Sequence, residues 1–140
     1  MTDGLLVLSN GLYFRGHLLG APMEATGEVI FNTSLTGYQE ILSDPSYAGQ
    51  IVTMTCPQIG NYGVNPEDME SGTIHAAALV IRELSLVASN WRSTQTLDDW
   101  LTEQRIPILE GVDTRALVRT LRETGECSGL IVPVDSQHTL

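Results

Sequence analysis

The apolar positions of the chain form short strand-like runs first, and alternating helical and extended segments later. Leu5-Leu6-Val7-Leu8 is followed by Asn10-Gly11 and then Leu12-Tyr13-Phe14. Asn-Gly between two apolar runs predicts a hairpin whose tight two-residue turn has positive φ at both central positions. Residues 16–20 continue that sheet, residues 21–26 with Pro22 form a turn, and residues 27–32 read as another strand. Residues 37–42 predict one helical turn with Tyr38, Ile41 and Leu42 on a single face. Asp44-Pro45 should end it, because the residue before proline is driven out of the helical region. Residues 50–55 are β-branched and strand-like, and the glycine-, proline- and acid-rich residues 57–72 predict a long loop.

The apolar run Ala76-Ala77-Ala78-Leu79-Val80-Ile81 suits a buried strand, although its alanines leave a helix open. Thr96 can cap a helix over residues 97–104, with Leu97, Trp100 and Leu101 as its apolar stripe. Residues 106–109 predict a short strand. Asp113 caps a second helix over residues 114–124, and Gly125 terminates it. In that helix Leu117, Val118 and Leu121 face inward, while Arg115, Arg119 and Arg122 face outward. Residues 129–132 form a last strand. Residues 133–140 lack apolar periodicity and read as a tail or interdomain linker. A β-rich front and an alternating back predict an α/β domain over residues 1–132, with two sheets and helices covering one of them.

Composition narrows the roles. The chain has 140 residues, 17 acids, seven arginines and no lysine, for a formal charge of −10. This length supports one core without a disulfide or metal. The negative charge argues against nucleic-acid and anionic-membrane partners, leaves a basic protein partner open, and favours solubility. Met1-Thr2-Asp3-Gly4 lacks the bases of a signal peptide, and no apolar run has membrane length, so a cytoplasmic protein is expected.

Chemistry is sparse. Cys56 and Cys127 have no CxxC or Cys/His company, which fits free buried thiols better than zinc ligands, and a disulfide between them is not required. Cys56 as a nucleophile competes with a structural role, which its position before Pro57 favours. His17, His75 and His138 have no ligand-like spacing. Glu67-Asp68-Met69-Glu70 lacks the ladder of a calcium loop and reads as solvated. The three-arginine helix face suits a phosphate or a partner carboxylate, or simply water. The richest segment is residues 32–47, with Asn32, Thr33, Ser34, Thr36, Tyr38, Gln39, Ser46 and Tyr47 among its hydrogen-bonding side chains. Neutral hydrogen-bonders of this kind suit a small zwitterionic ligand or a polar interface; the alternative is that they only satisfy turn backbone.

The same segment carries a family likeness. Gly27-Glu28-Val29-Ile30-Phe31-Asn32-Thr33-Ser34-Leu35-Thr36-Gly37-Tyr38-Gln39-Glu40-Ile41-Leu42-Ser43-Asp44-Pro45-Ser46-Tyr47 resembles the start of the small subunit of glutamine-dependent carbamoyl-phosphate synthase. Gln50-Ile51-Val52-Thr53, Ile59-Gly60-Asn61-Tyr62-Gly63-Val64-Asn65, Ser89-Asn90-Trp91-Arg92 and Asp113-Thr114-Arg115-Ala116-Leu117 continue it in order. The resemblance implies an amino-terminal, swivelling β/β/α three-layer domain with two mixed sheets. In that family an amidotransferase domain with a Cys-His-Glu triad follows, hydrolyses glutamine through a thioester, and sends ammonia to a large ATP-using subunit that makes carbamoyl phosphate for arginine and pyrimidine synthesis.

Neither Cys56 nor Cys127 matches the family nucleophile, and the sequence ends at Leu140 with no amidotransferase domain. The resemblance therefore implies no catalytic residue and no metal site in this chain, with ATP and Mg on the partner large subunit. It also implies that Ser46 contacts L-glutamine across a domain boundary, where a hydroxyl can serve the amino or carboxylate group. The expected partners are the large subunit and the amidotransferase domain. A stand-alone interaction module or a truncated fragment is the alternative.

Overall fold

In the computed structural model the described residues are 2–20, 23–33, 38–55, 74–83, 101–125 and 127–134. They include seven strands, two α-helices, one 3-10 turn and a further helical turn at residues 101–103. The strands are β1 (Thr2–Leu8), β2 (Tyr13–Gly20), β3 (Ala25–Asn32), β4 (Ile51–Met54), β5 (Ala78–Val80), β6 (Pro107–Glu110) and β7 (Ser128–Val134). Helix α1 spans Tyr38–Ser43, the 3-10 turn Pro45–Tyr47, and helix α2 Thr114–Thr124.

The hairpin of β1 and β2 forms where Asn10-Gly11 places it, with Val7 opposite Tyr13. Its turn differs from the expected two-residue form. The Gly11 amide donates to the Leu8 carbonyl (2.9 Å), and the Leu8 amide donates to the Leu12 carbonyl (2.8 Å). Only Gly11 has positive φ there, at 92°. The loop is therefore Ser9-Asn10-Gly11, an ordinary turn closed by a glycine bulge. The Asn10 side chain accepts from the Leu12 amide (3.0 Å), which holds Asn10 out of the left-handed region the tighter turn would need.

The strands close into one mixed barrel in the order β1-β2-β6-β5-β4-β3-β7. β3, β4, β5 and β6 run parallel to their neighbours in that series, and the remaining pairings are antiparallel. The expectation of two sheets is thus replaced by one closed sheet. Closure depends on β2 pairing with β6 and on β7 bridging β1 and β3, partners about a hundred residues apart that no local pattern announces. β7 also runs to Val134, so Pro133 and Val134 pair with β1 rather than starting the tail. Proline is tolerated in a strand where its missing amide faces away from a partner.

Alternation of side chains separates two apolar clusters. The first draws on all seven strands, including Leu6, Leu18, Val29, Ile51, Leu109 and Ile131, so it fills the barrel interior. Leu117 and Leu121 of α2 extend it. The second takes the alternate residues Val52, Met54, Leu79 and Ile108 from β4, β5 and β6, so it lies outside the barrel. Leu42 of α1 and Leu101 cover it. Strands buried on both faces read as unbroken apolar runs, which is why the apolar run of residues 76–81 holds the strand Ala78–Val80 rather than a helix.

The ends of the helices follow their chemistry. Asp113 caps α2 by accepting from the Ala116 amide (3.1 Å), and Gly125, with φ 75°, closes it through its amide to the Leu121 carbonyl (3.0 Å). Leu117, Val118 and Leu121 are buried, and Arg115, Arg119 and Arg122 are exposed, as the stripe predicted. The helical turn at Leu101 ends in a Schellman motif. The Ile106 amide reaches the Leu101 carbonyl and the Arg105 amide reaches that of Thr102, with Arg105 at φ 60°. The predicted start of that helix, with Thr96, Leu97 and Trp100, lies outside the described residues, as does the acidic loop around Glu67.

Candidate functional site

Ser46 sits in a turn fixed on both sides. Asp44 is extended (φ −76°, ψ 122°), as its proline neighbour requires, and its carboxylate accepts from the Ser46 amide (2.9 Å). The Asp44 carbonyl accepts from the Tyr47 amide (3.1 Å), and the Tyr47 carbonyl from that of Gln50 (3.0 Å). Backbone bonds then sew this turn to the approach to β5. Leu42 accepts from His75 (2.9 Å), His75 accepts from Gly49 (3.1 Å), and Gln50 accepts from Ala77 (2.8 Å). Gly27 of β3 lies so close that a Cβ there would collide with the Gly49 carbonyl.

Below the turn, Leu42 and Ser43 are fully buried, and Tyr47 packs on the outer apolar cluster. The Asn32 amide makes a long contact (3.5 Å) with the Tyr47 hydroxyl. Ser46 is exposed, and its hydroxyl has no partner among the described residues. The turn thus offers one donor-acceptor group to solvent on a rigid base. Residues 34–37, and the side chains of Tyr38, Gln39 and Glu40, lie outside the described residues. The structure therefore brings together Asn32, Asp44, Ser46 and Tyr47 of the polar segment.

A second polar region lies at the carboxyl ends of the parallel strands. A cavity of about 510 Å³ is lined there by Thr33, Thr55, Arg82, Arg115, Arg119 and Arg122, among others. The three helix arginines lie at i, i+4 and i+7, on one stripe of α2. Arg82 joins them from the end of β5, and Arg122 stacks over the Phe31 ring, 5.4 Å from its centroid. The sequence shows the helix stripe and places Thr33 in the polar segment 32–47, but it connects neither Thr33 nor Arg82 and Thr55 with that stripe. The only local signal was that each of them directly follows an apolar strand.

The other candidates resolve simply. Cys127 is a free, buried thiol near the Ser9 hydroxyl (3.3 Å) and the Ser128 carbonyl (3.7 Å), the surroundings of a packing residue. His17 pairs with Asp3 (3.1 Å) on the surface. His75 serves through its backbone. Cys56 and His138 lie outside the described residues. Among the described residues no three His, Cys, Asp or Glu groups converge as for a metal ion. No described helix is long and apolar enough to cross a membrane.

Comparison with known proteins is decisive about kinship. The model of the carbamoyl-phosphate synthase small chain, CPSase domain, matches residues 6–131. The chain belongs to this family. It is 56% identical over 131 residues to the carbamoyl phosphate synthase small chain of Syntrophotalea carbinolica, which covers 94% of the chain and 35% of that relative. It is 58% identical over 128 residues to the small chain of Vibrio parahaemolyticus (91% and 34%). With that of Thioalkalivibrio sulfidiphilus it shares 53% over 141 residues (99% and 37%). The chain therefore spans about a third of the length of the carbamoyl-phosphate synthase small chains it matches.

Proposed function

We propose that the chain acts as the non-catalytic amino-terminal domain of a carbamoyl-phosphate synthase small subunit. In this reading it docks on the large subunit, where ATP and Mg are used, and supports glutamine-dependent carbamoyl phosphate synthesis in the cytoplasm. An amidotransferase domain supplies the Cys-His-Glu chemistry, and the product serves arginine and pyrimidine synthesis. The β/β/α layering corresponds to the antiparallel and parallel halves of the closed sheet, with α1 outside the parallel half.

The observation that carries the reading is the family match over residues 6–131. For Ser46, the support is an exposed hydroxyl on a turn held by Asp44 and by the bonds to His75 and Ala77. Ser46 donates to or accepts from the amino-acid end of glutamine, and its rigid base lowers the entropy lost on contact.

A chimera tests both parts. This chain replaces the matching third of the Syntrophotalea carbinolica small chain, assembled with its large subunit. The expected result is glutamine-dependent carbamoyl phosphate formation. Ser46→Ala raises the KM for glutamine by about tenfold, as expected for one lost hydrogen bond, and leaves ammonia-dependent synthesis unchanged. An unchanged KM overturns the Ser46 role. A glutaminase rate from the 140-residue chain alone, abolished by Cys56→Ala, overturns the non-catalytic reading.

A further inference from the structure

Four of the seven basic residues of this chain, Arg82, Arg115, Arg119 and Arg122, meet at one cavity. The overall charge is −10, yet among the described residues the carboxylate that lines the same cavity is that of Glu123. Among the described residues none of the four guanidiniums is ion-paired; the charge contact they make is that of Arg122 with Phe31. Holding like charges together on a folded surface is unfavourable, and a multivalent anion offsets that repulsion.

The surroundings favour a small ligand over a flat contact. Thr33 and Thr55 follow β3 and β4, and Arg82 follows β5, so three adjacent parallel strands end in the cavity. Crevices at the carboxyl ends of parallel strands are the usual ligand sites of α/β proteins. Thr114, buried at the start of α2, adds another hydroxyl to the lining. Thr53, one step deeper on the same face of β4, is fully buried with an unpartnered hydroxyl, so the polar character continues inward. A neighbouring cavity of about 480 Å³ shares Arg82 and Arg115 and reaches Asp113 at the start of the helix.

We propose that this cavity binds a phosphate group carried by a small molecule. Guanidinium forks bind phosphate oxygens bidentately, and four of them, from α2 and the end of β5, suit a phosphate dianion better than a singly charged carboxylate. Threonine hydroxyls donate to the remaining oxygens. The volume lies in the range of small-molecule sites and exceeds what one phosphate fills, so the phosphate anchors a larger body. This inference rests on the cavity alone and is independent of the role assigned to Ser46.

The test is titration of the 140-residue chain with inorganic phosphate, pyrophosphate, glycerol 3-phosphate and succinate, read by calorimetry and by amide shifts. The phosphorylated probes bind and shift Thr33, Thr55 and Thr114, and glycerol 3-phosphate or pyrophosphate binds more tightly than inorganic phosphate. Arg115→Ala with Arg119→Ala weakens binding by about tenfold or more. Arg119→Lys loses less, because the charge remains without the fork. Arg15→Gln, on β2, leaves affinity unchanged, and an unaltered urea midpoint shows that the arginine variants fold. Tightest binding by inorganic phosphate overturns the larger-ligand part. Equal binding of succinate, equal loss in Arg15→Gln, or binding of a polyglutamate peptide without any phosphate binding overturns the proposal.

Discussion

The interior of the barrel and the apolar layer outside its parallel half are built from the same strands, yet they support different surfaces. The interior gathers side chains from all seven strands and is extended by Leu117 and Leu121, so it holds α2 and its arginine stripe. The outer layer uses alternate residues of β4, β5 and β6 beneath Leu42, so it holds α1 and the Ser46 turn. The sheet separates the two. Each polar surface therefore depends on its own core, and alternation along three short strands divides the work.

The largest expected effect comes from the interior. Leu117→Ala removes a fully buried side chain where α2 meets the barrel, and should cost about 3–5 kcal/mol in urea unfolding. It should also weaken phosphate-probe binding while sparing Ser46. A loss near zero would show that α2 is not held by the interior. Leu42→Ala should cost less, about 2–3 kcal/mol, because a six-residue helix can settle into part of the space. Its signature is a raised KM for glutamine in the chimera with phosphate-probe affinity intact. In the double variant the two losses should add to within about 0.5 kcal/mol, and a larger coupling would break the distinction between the cores. The smallest effect is at the cap: Asp113→Ala should cost about 1 kcal/mol and leave the Ser46 turn untouched.

Legibility in the sequence followed the range of the interactions. Asp113 and Gly125 mark α2 because capping involves residues within one turn. Asp44-Pro45 marks the end of α1 for the same reason. Asn10-Gly11 announced the hairpin, but the Asn10 side-chain bond selected a different turn. Arg105 ends its helical turn at positive φ without the glycine or asparagine that usually signals it. The Ser46 turn was half legible: its local bonds follow from Asp-Pro, whereas the bonds to His75 and Ala77 do not.

Sequence alone determined the elements, their buried faces and, through the unbroken motif of residues 27–47, the family. These depend on neighbours along the chain, where periodicity, caps and turn residues act directly. Tertiary structure decided that the strands close into one barrel instead of forming two sheets, and that Arg82 meets the arginines of a helix some thirty residues later. Both require contacts between distant segments. Those contacts arise from the shared burial of apolar faces, which carry little record of which face they will meet.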